Sequence, residues 1–276
     1  ISDGTFLYGM TVNGGANNYG TIFKIMPDGT GYVKLLDFAG TTNGSNPWGS
    51  LISDGIFLYG MTIFGGANQM GTVFKIKLDG TGYAKLLDFA GLSNGRNPRG
   101  NLFFDGTYLY GLTSVGGSDN FGTLFKILPN GTGYIKLLNF DSVTNGRNPY
   151  GSLISDGTYL YGMTSGSSTK SSNSFGTIFK IKPDGTSYSR LLEFDGAAKG
   201  RFPYGSLVSD GTYLYGMSYN GGIDNFGTLF KIMPDGTGFA KLMDFSVTNG
   251  QIPWGSLITV GTSRYGMTAG GGTALS

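Results

Sequence analysis

The side chains best suited to molecular recognition occupy one recurring place in this sequence. A Pro and a Gly bracket a single variable residue about every 50 positions, at Trp48, Arg99, Tyr150, Tyr204 and Trp254. Three positions earlier stand Ser45, Arg96, Arg147, Arg201 and Gln251. Aromatic faces stack on sugar rings or fill pockets of a protein partner, and Arg is a frequent hot-spot residue. The candidate ligand-binding set is therefore Trp48, Arg99, Tyr150, Tyr204, Trp254, Arg96, Arg147 and Arg201.

Residues for catalysis are either missing or present in every repeat. The chain has neither His nor Cys, which removes the commonest general base and every Ser-His or Cys-His nucleophile pair. Acidic residues outside the turns recur at equivalent places or lie in variable loops, as do Asp119, Asp141, Asp195 and Asp224. We expect no catalytic residue, no metal ligand and no cofactor. A carbohydrate-active enzyme with paired carboxylates is the competing hypothesis.

Acidic residues before Gly form two regular series. The first is Asp3, Asp54, Asp105, Asp156 and Asp210, and the second is Asp28, Asp79, Asn130, Asp184 and Asp235. A calcium site needs several oxygen ligands that converge on one point. Asp-Gly and Asn-Gly pairs are also what tight turns require. The repetition favours a structural role in turns.

One Lys per repeat is embedded in an otherwise apolar segment, at Lys24, Lys75, Lys126, Lys180 and Lys231. A cation in such surroundings is costly unless it is satisfied. We expect neighbouring strands to shield these ammonium groups and a carboxylate or a backbone carbonyl to bind each one. Asp37, Asp88, Asn139, Glu193 and Asp244 are the expected partners of a cross-strand or inter-repeat ion pair.

A repeat of about 50 residues must position all of these side chains. Tyr-Gly-Met/Leu-Thr/Ser recurs with its Tyr at 8, 59, 110, 161, 215 and 265. In the second repeat, strand candidates A, B, C and D cover residues 49–53, 57–62, 72–76 and 83–89, with Asp-Gly after A and after C. No window has the apolar spacing of a helix. Four short antiparallel strands per repeat predict an all-β fold, a β-propeller, with an open β-solenoid as the alternative.

The repeats predict a single β-propeller domain over residues 1–276. Its units are 1–48, 49–99, 100–150, 151–204 and 205–254, with a closing fragment at 255–276. Five copies of strands A, C and D predict five blades, and pairing of residues 256–259 with the strand near residues 5–11 would close the ring. The divergent sixth copy of strand B, Ser263-Arg264-Tyr265, is expected to lie outside a blade. Six blades are the alternative if the natural chain continues past Ser276.

The candidate residues directly precede strand A, the inner strand of a propeller blade. The connection from the outer strand D to strand A ends beside the central channel. We therefore expect these residues to ring one mouth of the channel, on the face that carries the B–C loops. The Pro fixes the loop, and the Gly lets the backbone enter the inner strand. In the alternative interpretation, the aromatic rings cap the hydrophobic core between repeats.

The combined motif resembles a known bacterial repeat. Asp-Gly-Thr-Tyr-Leu-Tyr-Gly-Met-Thr, then Gly-Thr-Ile-Phe-Lys-Ile, then Pro-Asp-Gly-Thr-Gly-Tyr is similar to the Gloeobacter–Verrucomicrobia (GloVer) tandem repeat of surface proteins. The likeness extends over the whole chain. It implies export to the cell surface or secretion, and it implies no catalytic residues.

Composition narrows the class of partner. A net charge of +2 gives no strong field toward nucleic acid or an anionic membrane, and no apolar run approaches the roughly 20 residues of a membrane span. The expected partners are a glycan or a protein of the surface or secretion apparatus, without nucleic acid. Our leading hypothesis is an exported, non-enzymatic module for carbohydrate binding or protein–protein interaction. A structural subunit of a surface filament or layer is the alternative.

The fourth repeat carries the largest insertion, from Ser165 to Ser174. Its composition of Gly, Ser, Thr, Lys and Asn offers little to bury. We expect a mobile surface loop there.

Overall fold

The computed structural model describes residues 1–166 and 175–272. These residues form an all-β protein of short antiparallel strands, and they contain no helix, as the sequence predicts. Consequently, no helix in these two ranges is long and apolar enough to cross a membrane. The chain divides into two compact units, Ile1–Asn139 and Phe140–Ser276. Most of the insertion at 165–174 lies outside the described residues.

The first unit contains eleven strands in three sheets. Its sheets have the orders β1-β2-β3, β4-β5-β6-β7 and β8-β9-β10-β11. The strands are β1 (Leu7–Thr11), β2 (Thr21–Ile25), β3 (Val33–Asp37), β4 (Ile52–Ser53), β5 (Phe57–Thr62), β6 (Thr72–Lys77), β7 (Ala84–Asp88), β8 (Phe103–Phe104), β9 (Leu109–Thr113), β10 (Thr123–Ile127) and β11 (Ile135–Asn139).

The described residues of the second unit contain ten strands in the same arrangement. The sheets have the orders β12-β13-β14-β15, β16-β17-β18-β19 and β20-β21. The strands are β12 (Ile154–Ser155), β13 (Leu160–Thr164), β14 (Thr177–Ile181), β15 (Ser189–Glu193), β16 (Val208–Ser209), β17 (Leu214–Ser218), β18 (Thr228–Ile232), β19 (Ala240–Asp244), β20 (Ile258–Val260) and β21 (Ser263–Tyr265).

The motif Tyr-Gly-Met-Thr contains a Gly because an aromatic ring on the next strand packs against that position. Gly60 lies opposite Phe74 in the β5–β6 ladder, and a Cβ at Gly60 would lie 2.6 Å from Cζ of Phe74. The tip of the Phe74 ring therefore packs against Gly60, and the ring is completely buried. Equivalent Gly–Phe pairs recur at Gly111–Phe125, Gly162–Phe179 and Gly216–Phe230.

Within each unit, a repeat packs its core against the repeat that follows it. Tyr8, Ile22 and Phe38 of the first repeat form one cluster with Leu51, Leu58, Phe74 and Ile76 of the second. Tyr161, Met163, Ile178 and Phe194 pack in the same way against Leu207, Leu214, Phe230 and Ile232. Two apolar faces per sheet explain why strand C carries bulky residues in both registers.

The predicted pairing of residues 256–259 with the strand near residues 5–11 is wrong. β20 pairs with β21, and the sheet of β1 consists of β1, β2 and β3. The backbone of Ile1 and Tyr8 is joined by two hydrogen bonds, and Ser2 forms a bridge with Leu7. This register matches that of Ile52 and Ser53 against Tyr59 and Leu58. Residues 1 and 2 therefore occupy the place beside β1 that the prediction gave to residues 256–259.

Three of the five strand-C lysines are satisfied by backbone carbonyls rather than by carboxylates. Nζ of Lys24, Lys75 and Lys180 donates to the carbonyls of Leu78, Pro129 and Pro234, at 3.4, 3.1 and 3.1 Å. Each acceptor belongs to the C–D turn of the following repeat. Every one of the five ammonium groups also lies 4.1–4.8 Å from the centroid of an aromatic ring near the start of strand B. The expectation of shielding and a carbonyl partner is confirmed for Lys24, Lys75 and Lys180.

The expected ion pair between strand C and strand D is wrong. The strand-D carboxylates instead pair along their own strand, as Lys34–Asp37 at 2.7 Å and Lys85–Asp88 at 2.9 Å show. The other oxygen of Asp37 accepts the backbone N–H of Ala16 in the B–C loop. This second bond leaves the carboxylate at the outer end of strand D, away from the Lys of strand C.

Candidate functional site

A short segment before strand A positions every candidate residue, and it is held from both sides by backbone bonds. Arg96 forms an antiparallel bridge with Val115, and Arg201 forms one with Asn220. Each segment thus lies against the chain that leaves strand B of its own sheet. The residue before the Pro has a positive φ, which for Asn97 is 54°. The Asn97 side chain donates to the carbonyl of Ile63 at 3.1 Å and supports this turn.

Two of these turns carry residues that rarely adopt a positive φ. Phe202 has φ 56° and Ile252 has φ 59°, where other repeats have Asn. Bulky and β-branched side chains are strained in this region of backbone space. Both turns lie in the second unit, and each one immediately precedes a Pro and an aromatic candidate, Tyr204 or Trp254.

In the first unit, an exposed indole and a guanidinium come together. Trp48 is 47% exposed, and the Arg99 guanidinium carbon lies 5.8 Å from its ring centroid. The N–H of Ser50 donates to Oδ1 of Asn101 at 2.6 Å, which joins the starts of two successive A strands. Adjacent repeats are therefore close enough for their variable residues to touch.

In the second unit, four rings form what we call the aromatic group: Tyr150, Tyr204, Tyr219 and Trp254. The centroids of Tyr204 and Trp254 are 4.7 Å apart at an interplanar angle of 34°. Tyr219 meets Trp254 edge-on at 5.2 Å and Tyr204 at 5.0 Å. Tyr150 meets Tyr204 edge-on at 5.1 Å. Trp254 remains 41% exposed, so the group presents ring surface to solvent.

The arginines three positions earlier fix the loops beside these residues. Arg96 donates to Oδ1 of Asn120 at 3.3 Å, and Arg201 donates to Oδ1 of Asn225 at 2.8 Å. Arg201 also lies 5.6 Å from the ring centroids of Phe175 and Phe202. Arg147 is half-buried and forms a backbone bridge with Gly166. The guanidinium groups of Arg96 and Arg201 therefore each bind the B–C loop of the following repeat.

A cavity of about 310 Å³ lies next to Arg201. Its lining includes Phe175, Asp195, Arg201 and Asn225 together with backbone of Gly221 and Gly222. Asp195 forms an ion pair with Lys199 at 3.4 Å. The cavity thus offers an aromatic face, a carboxylate, a guanidinium and an amide within one concave surface.

Within each unit, the structure brings candidate residues together. Tyr150, Tyr204 and Trp254 share one group in the second unit, and Trp48 and Arg99 form a pair in the first. Tyr219 is the residue that the sequence interpretation missed. At its position the other repeats have Val12, Ile63, Ser114, Ser165 and Ala269. A ring among small and aliphatic equivalents is the signal that could have identified it.

With the fold and the candidate residues described, family membership can be assigned. A family model described as the Gloeobacter/Verrucomicrobia repeat matches residues 1–170 and residues 104–276. The chain belongs to the Gloeobacter/Verrucomicrobia repeat family. This confirms the resemblance found in the strand-B, strand-C and C–D turn motifs. No curated protein matches the chain in sequence.

Solved structures similar to this Gloeobacter/Verrucomicrobia repeat protein share its fold at low identity. The nidogen/laminin complex contains a chain that aligns with TM-score 0.60 and 15% identity, over 95% of this chain and 84% of that one. A putative TolB from Agrobacterium tumefaciens aligns with TM-score 0.55 and 17% identity, over 91% and 80%. The GH74 enzyme of Niastella koreensis aligns with TM-score 0.61 and 16% identity, over 88% and 37%. The fold is therefore β-propeller-like, and these likenesses extend to the fold alone.

The A–B turn of the Gloeobacter/Verrucomicrobia repeats explains the first series of acidic residues. Oδ1 of Asp54 accepts the N–H groups of Ile56 and Phe57, and Oδ2 accepts the hydroxyl of Tyr59 at 2.7 Å. The same Asp–Tyr bond recurs at Asp3–Tyr8, Asp105–Tyr110, Asp156–Tyr161 and Asp210–Tyr215. The backbone N–H groups of Phe6 and Thr5, together with the Tyr8 hydroxyl, lower the pKa of Asp3. Burial and the hydrogen bond to Asp3 raise the pKa of Tyr8 to about 12.

The second series, in the C–D turn, is structural as well. Oδ1 of Asp79 accepts both the N–H and the hydroxyl of Thr81. Within residues 1–166 and 175–272, no group of three or more acidic residues could hold a metal ion.

Proposed function

We propose that this protein is a non-enzymatic module that binds carbohydrate through the aromatic group of its second unit. The observation that carries the proposal is the packing of Tyr204 and Tyr219 against an indole that stays 41% exposed. Neighbouring rings hold Trp254 in one orientation, so little side-chain freedom is lost when a ligand stacks on it. A preorganised, half-exposed ring surface suits the apolar C–H face of a sugar ring.

Polar groups for sugar hydroxyls lie at the other end of the same short segment. Arg201, three residues before Tyr204, lines the cavity of about 310 Å³ together with Asp195 and Asn225. Recognition sites typically combine an apolar surface with a few convergent donors and acceptors. The guanidinium, the amide and the carboxylate supply both. The proposal therefore joins a stacking surface to a polar recess.

Backbone strain supports the same location. Phe202 and Ile252 hold a positive φ on the two segments that carry Tyr204 and Trp254. Strain of this kind persists where the surrounding structure enforces it, and it clusters at ligand sites. In the first unit, Asn46 and Asn97 adopt the corresponding conformation, which Asn tolerates more readily.

The direction of the carboxylate pKa shifts favours a binding function over a catalytic one. A general acid for glycoside hydrolysis needs a raised pKa. Backbone hydrogen bonds instead lower the pKa of Asp3, Asp28 and Asp210. Lowered values are what turn-forming carboxylates require, because the charged form accepts the bonds. Display at the cell surface is part of the proposal, and fractionation of the native cells with an antibody would check it.

A glycan array on the purified protein tests the proposal. We expect binding to a defined set of glycans, and titration of a hit should show about 30-fold or greater weakening for Trp254→Ala, since truncation of a hot spot costs about 2 kcal/mol or more. Trp48→Ala is the matched control, because this indole is exposed to a similar extent and belongs to the first unit. A silent array, or equal binding by Trp254→Ala and the parent, would contradict the proposal. Silence with polymerisation of the protein would favour a structural subunit.

A further inference from the structure

The loop between strands D and A of the fourth repeat differs from its four equivalents. Every other repeat has Asn before the Gly of this loop, at Asn43, Asn94, Asn145 and Asn249. The side chain of Asn94, for example, accepts the N–H of Ala90 and donates to the carbonyl of Asp88. The fourth repeat has Lys199 instead, whose N–H donates to Asp195 and whose ammonium group pairs with it at 3.4 Å. An ion pair therefore replaces the amide in this loop.

A backbone N–H next to this loop lacks the acceptor that its equivalents have. Gly66 and Gly117, in the B–C loops of two earlier repeats, donate to the carbonyls of Gly40 and Gly91, both at 3.0 Å. Gly222 holds the same place, and its N–H donates to no group among the described residues. Gly222 also lines the cavity of about 310 Å³ described above, which we call the Arg201 cavity. The altered loop thus leaves a donor at the wall of a cavity.

The Arg201 guanidinium lies at the same cavity without an anionic partner. It donates to Oδ1 of Asn225 at 2.8 Å, and its carbon lies 5.6 Å from the ring centroids of Phe175 and Phe202. These contacts hold the cation in place. No carboxylate among the described residues pairs with it. A half-buried charge is costly unless it is paired, so the cavity favours an anion supplied by a ligand.

The carboxylates nearest in the two loops are already neutralised. Asp195 lines the cavity, but its charge is offset by Lys199. Asp244 accepts the N–H of Ile223 in the B–C loop, and it is paired with Lys241 at 2.8 Å. The guanidinium is therefore the charge on the lining of the cavity that has no counter-ion.

We propose that the Arg201 cavity binds the carboxylate of an acidic sugar, a uronic acid within the glycan that stacks on the aromatic group; this inference rests on the proposed function. The carboxylate accepts from the guanidinium and from the N–H of Gly222. Such charge-assisted bonds are short and strong, and the planar guanidinium matches a carboxylate in geometry. Phe175 offers its face to the same sugar ring. Arg201 and Tyr204 are at most about 11 Å apart along the backbone, a distance that a short oligosaccharide spans.

A glycan array with matched neutral, carboxylated and sulfated glycans, followed by titration, tests the proposal. We expect the strongest hit to contain a uronic acid. Its carboxyl-reduced form should bind about 10-fold more weakly or worse, because hydrogen bonds between two charged groups are lost. The affinity for the carboxylated form should also fall as the salt concentration rises. These comparisons use the unaltered protein, so they do not depend on the folding of a variant.

Substitutions assign the preference to the cavity. In Arg201→Gln, the carboxylated glycan and its reduced form should bind with equal affinity. Arg190→Gln is the control, because it removes the same charge from strand D of the same unit, and it should keep the preference. Asp224→Asn removes a carboxylate next to Asn225 and should raise the affinity for the carboxylated glycan.

The outcomes separate this inference from the proposed function. Equal affinity for the two forms, stronger binding of the matched sulfated glycan, or a carboxylate preference that survives Arg201→Gln would overturn the inference. If neutral glycans bind as well as acidic ones and Trp254→Ala weakens them, the inference fails and the proposed function stands. If carboxylated glycans bind through Arg201 and Trp254→Ala changes nothing, the cavity is supported and the role of the aromatic group fails. A silent array contradicts both.

Discussion

The A–B turn is the same in every repeat, whereas the segment before strand A changes its side chains from one repeat to the next. In the turn, the Asp–Tyr bond is the same in all five copies, and both partners are held by further bonds or by burial. In the segment before strand A, Pro and Gly are retained while the residue between them changes from Trp to Arg to Tyr. The backbone is the constant feature there, and the side chain is free to differ. The turn region should therefore control stability, and the segment should control binding.

The largest effect should come from the strand-C Phe ring, which, like the A–B turn, is the same in all five repeats. Phe74→Ala removes a fully buried side chain that covers Gly60 and contacts Phe38 and Tyr83. We expect the free energy of unfolding to fall by about 3–5 kcal/mol, because a cavity remains. Chemical denaturation measures the change. Phe64→Ala, on an exposed ring of the B–C loop, is the control and should change stability little. Equal effects of the two variants would remove the distinction between the regions.

A smaller effect should follow the loss of one hydroxyl. Tyr59→Phe leaves Oδ2 of Asp54 without its hydrogen-bond donor at 2.7 Å. A bond to a charged acceptor contributes about 1.5–3 kcal/mol, so stability should fall by that order while the fold is kept. Tyr32→Phe is the matched control, since the Tyr32 side chain is exposed. If thermal unfolding of the two variants coincides, the Asp–Tyr bond does not stabilise the turn.

In the variable region, stability and binding should separate. Trp254→Ala is expected to change the free energy of unfolding by about 1 kcal/mol or less, since exposed positions tolerate substitution. The same change should abolish or strongly weaken ligand binding. Thermal unfolding recorded beside glycan titration checks both. A fall in melting temperature as large as that of Phe74→Ala would identify Trp254 as a core residue instead.

The smallest expected effect is a loss of stability at acidic pH. Backbone hydrogen bonds from Tyr213 and Thr212, the Tyr215 hydroxyl and the nearby Arg264 lower the pKa of Asp210 from 3.8 to about 2. A pKa below the unfolded value means stabilisation that is present above pH 3.8 and is lost as the pH falls toward about 2. Arg264 forms an ion pair with Asp210 at 2.7 Å and lies on β21. The protection factors of the β21 amides, which correct the exchange rates for the pH dependence of intrinsic exchange, should therefore fall over this pH range, and less so in Arg264→Gln.

The sequence predicted the all-β fold, the strand positions and the repeat family because each depends on local spacing. The Asp-Gly pairs after strands A and C, and the Gly that lies opposite a Phe, can be recognised within a single repeat. Contacts that depend on the direction of a side chain could not be predicted in this way. The sequence placed Lys75 beside a carboxylate, yet its long side chain reaches the carbonyl of Pro129 in the next repeat. Pairing of residues 256–259 with β1 was wrong because Ile1 and Ser2 already lie there.

The sequence predicted the positions of the candidate residues, but it did not predict which of them lie in contact. Spacing identified Tyr150, Tyr204 and Trp254 as equivalents. That Tyr204 and Trp254 lie 4.7 Å apart depends on how successive repeats approach each other. Tyr219 joins them from the end of strand B, a segment that the repeat motif treats as framework. The prediction that all the candidates ring one channel mouth stays a prediction.

The hydrogen bonds of the strand-C lysines always run from one repeat to the next repeat along the chain, which affects the order in which they can form during translation. Lys24, Lys75 and Lys180 each donate to a carbonyl 54 positions later, and none of the three bonds runs backward. On a ribosome, every one of these cations emerges before its acceptor has been synthesised. A newly made repeat therefore completes its bonding only after the turn of its successor has left the exit tunnel. Truncation from the carboxyl side leaves a cation without its acceptor, whereas truncation from the amino side removes donor and strand together.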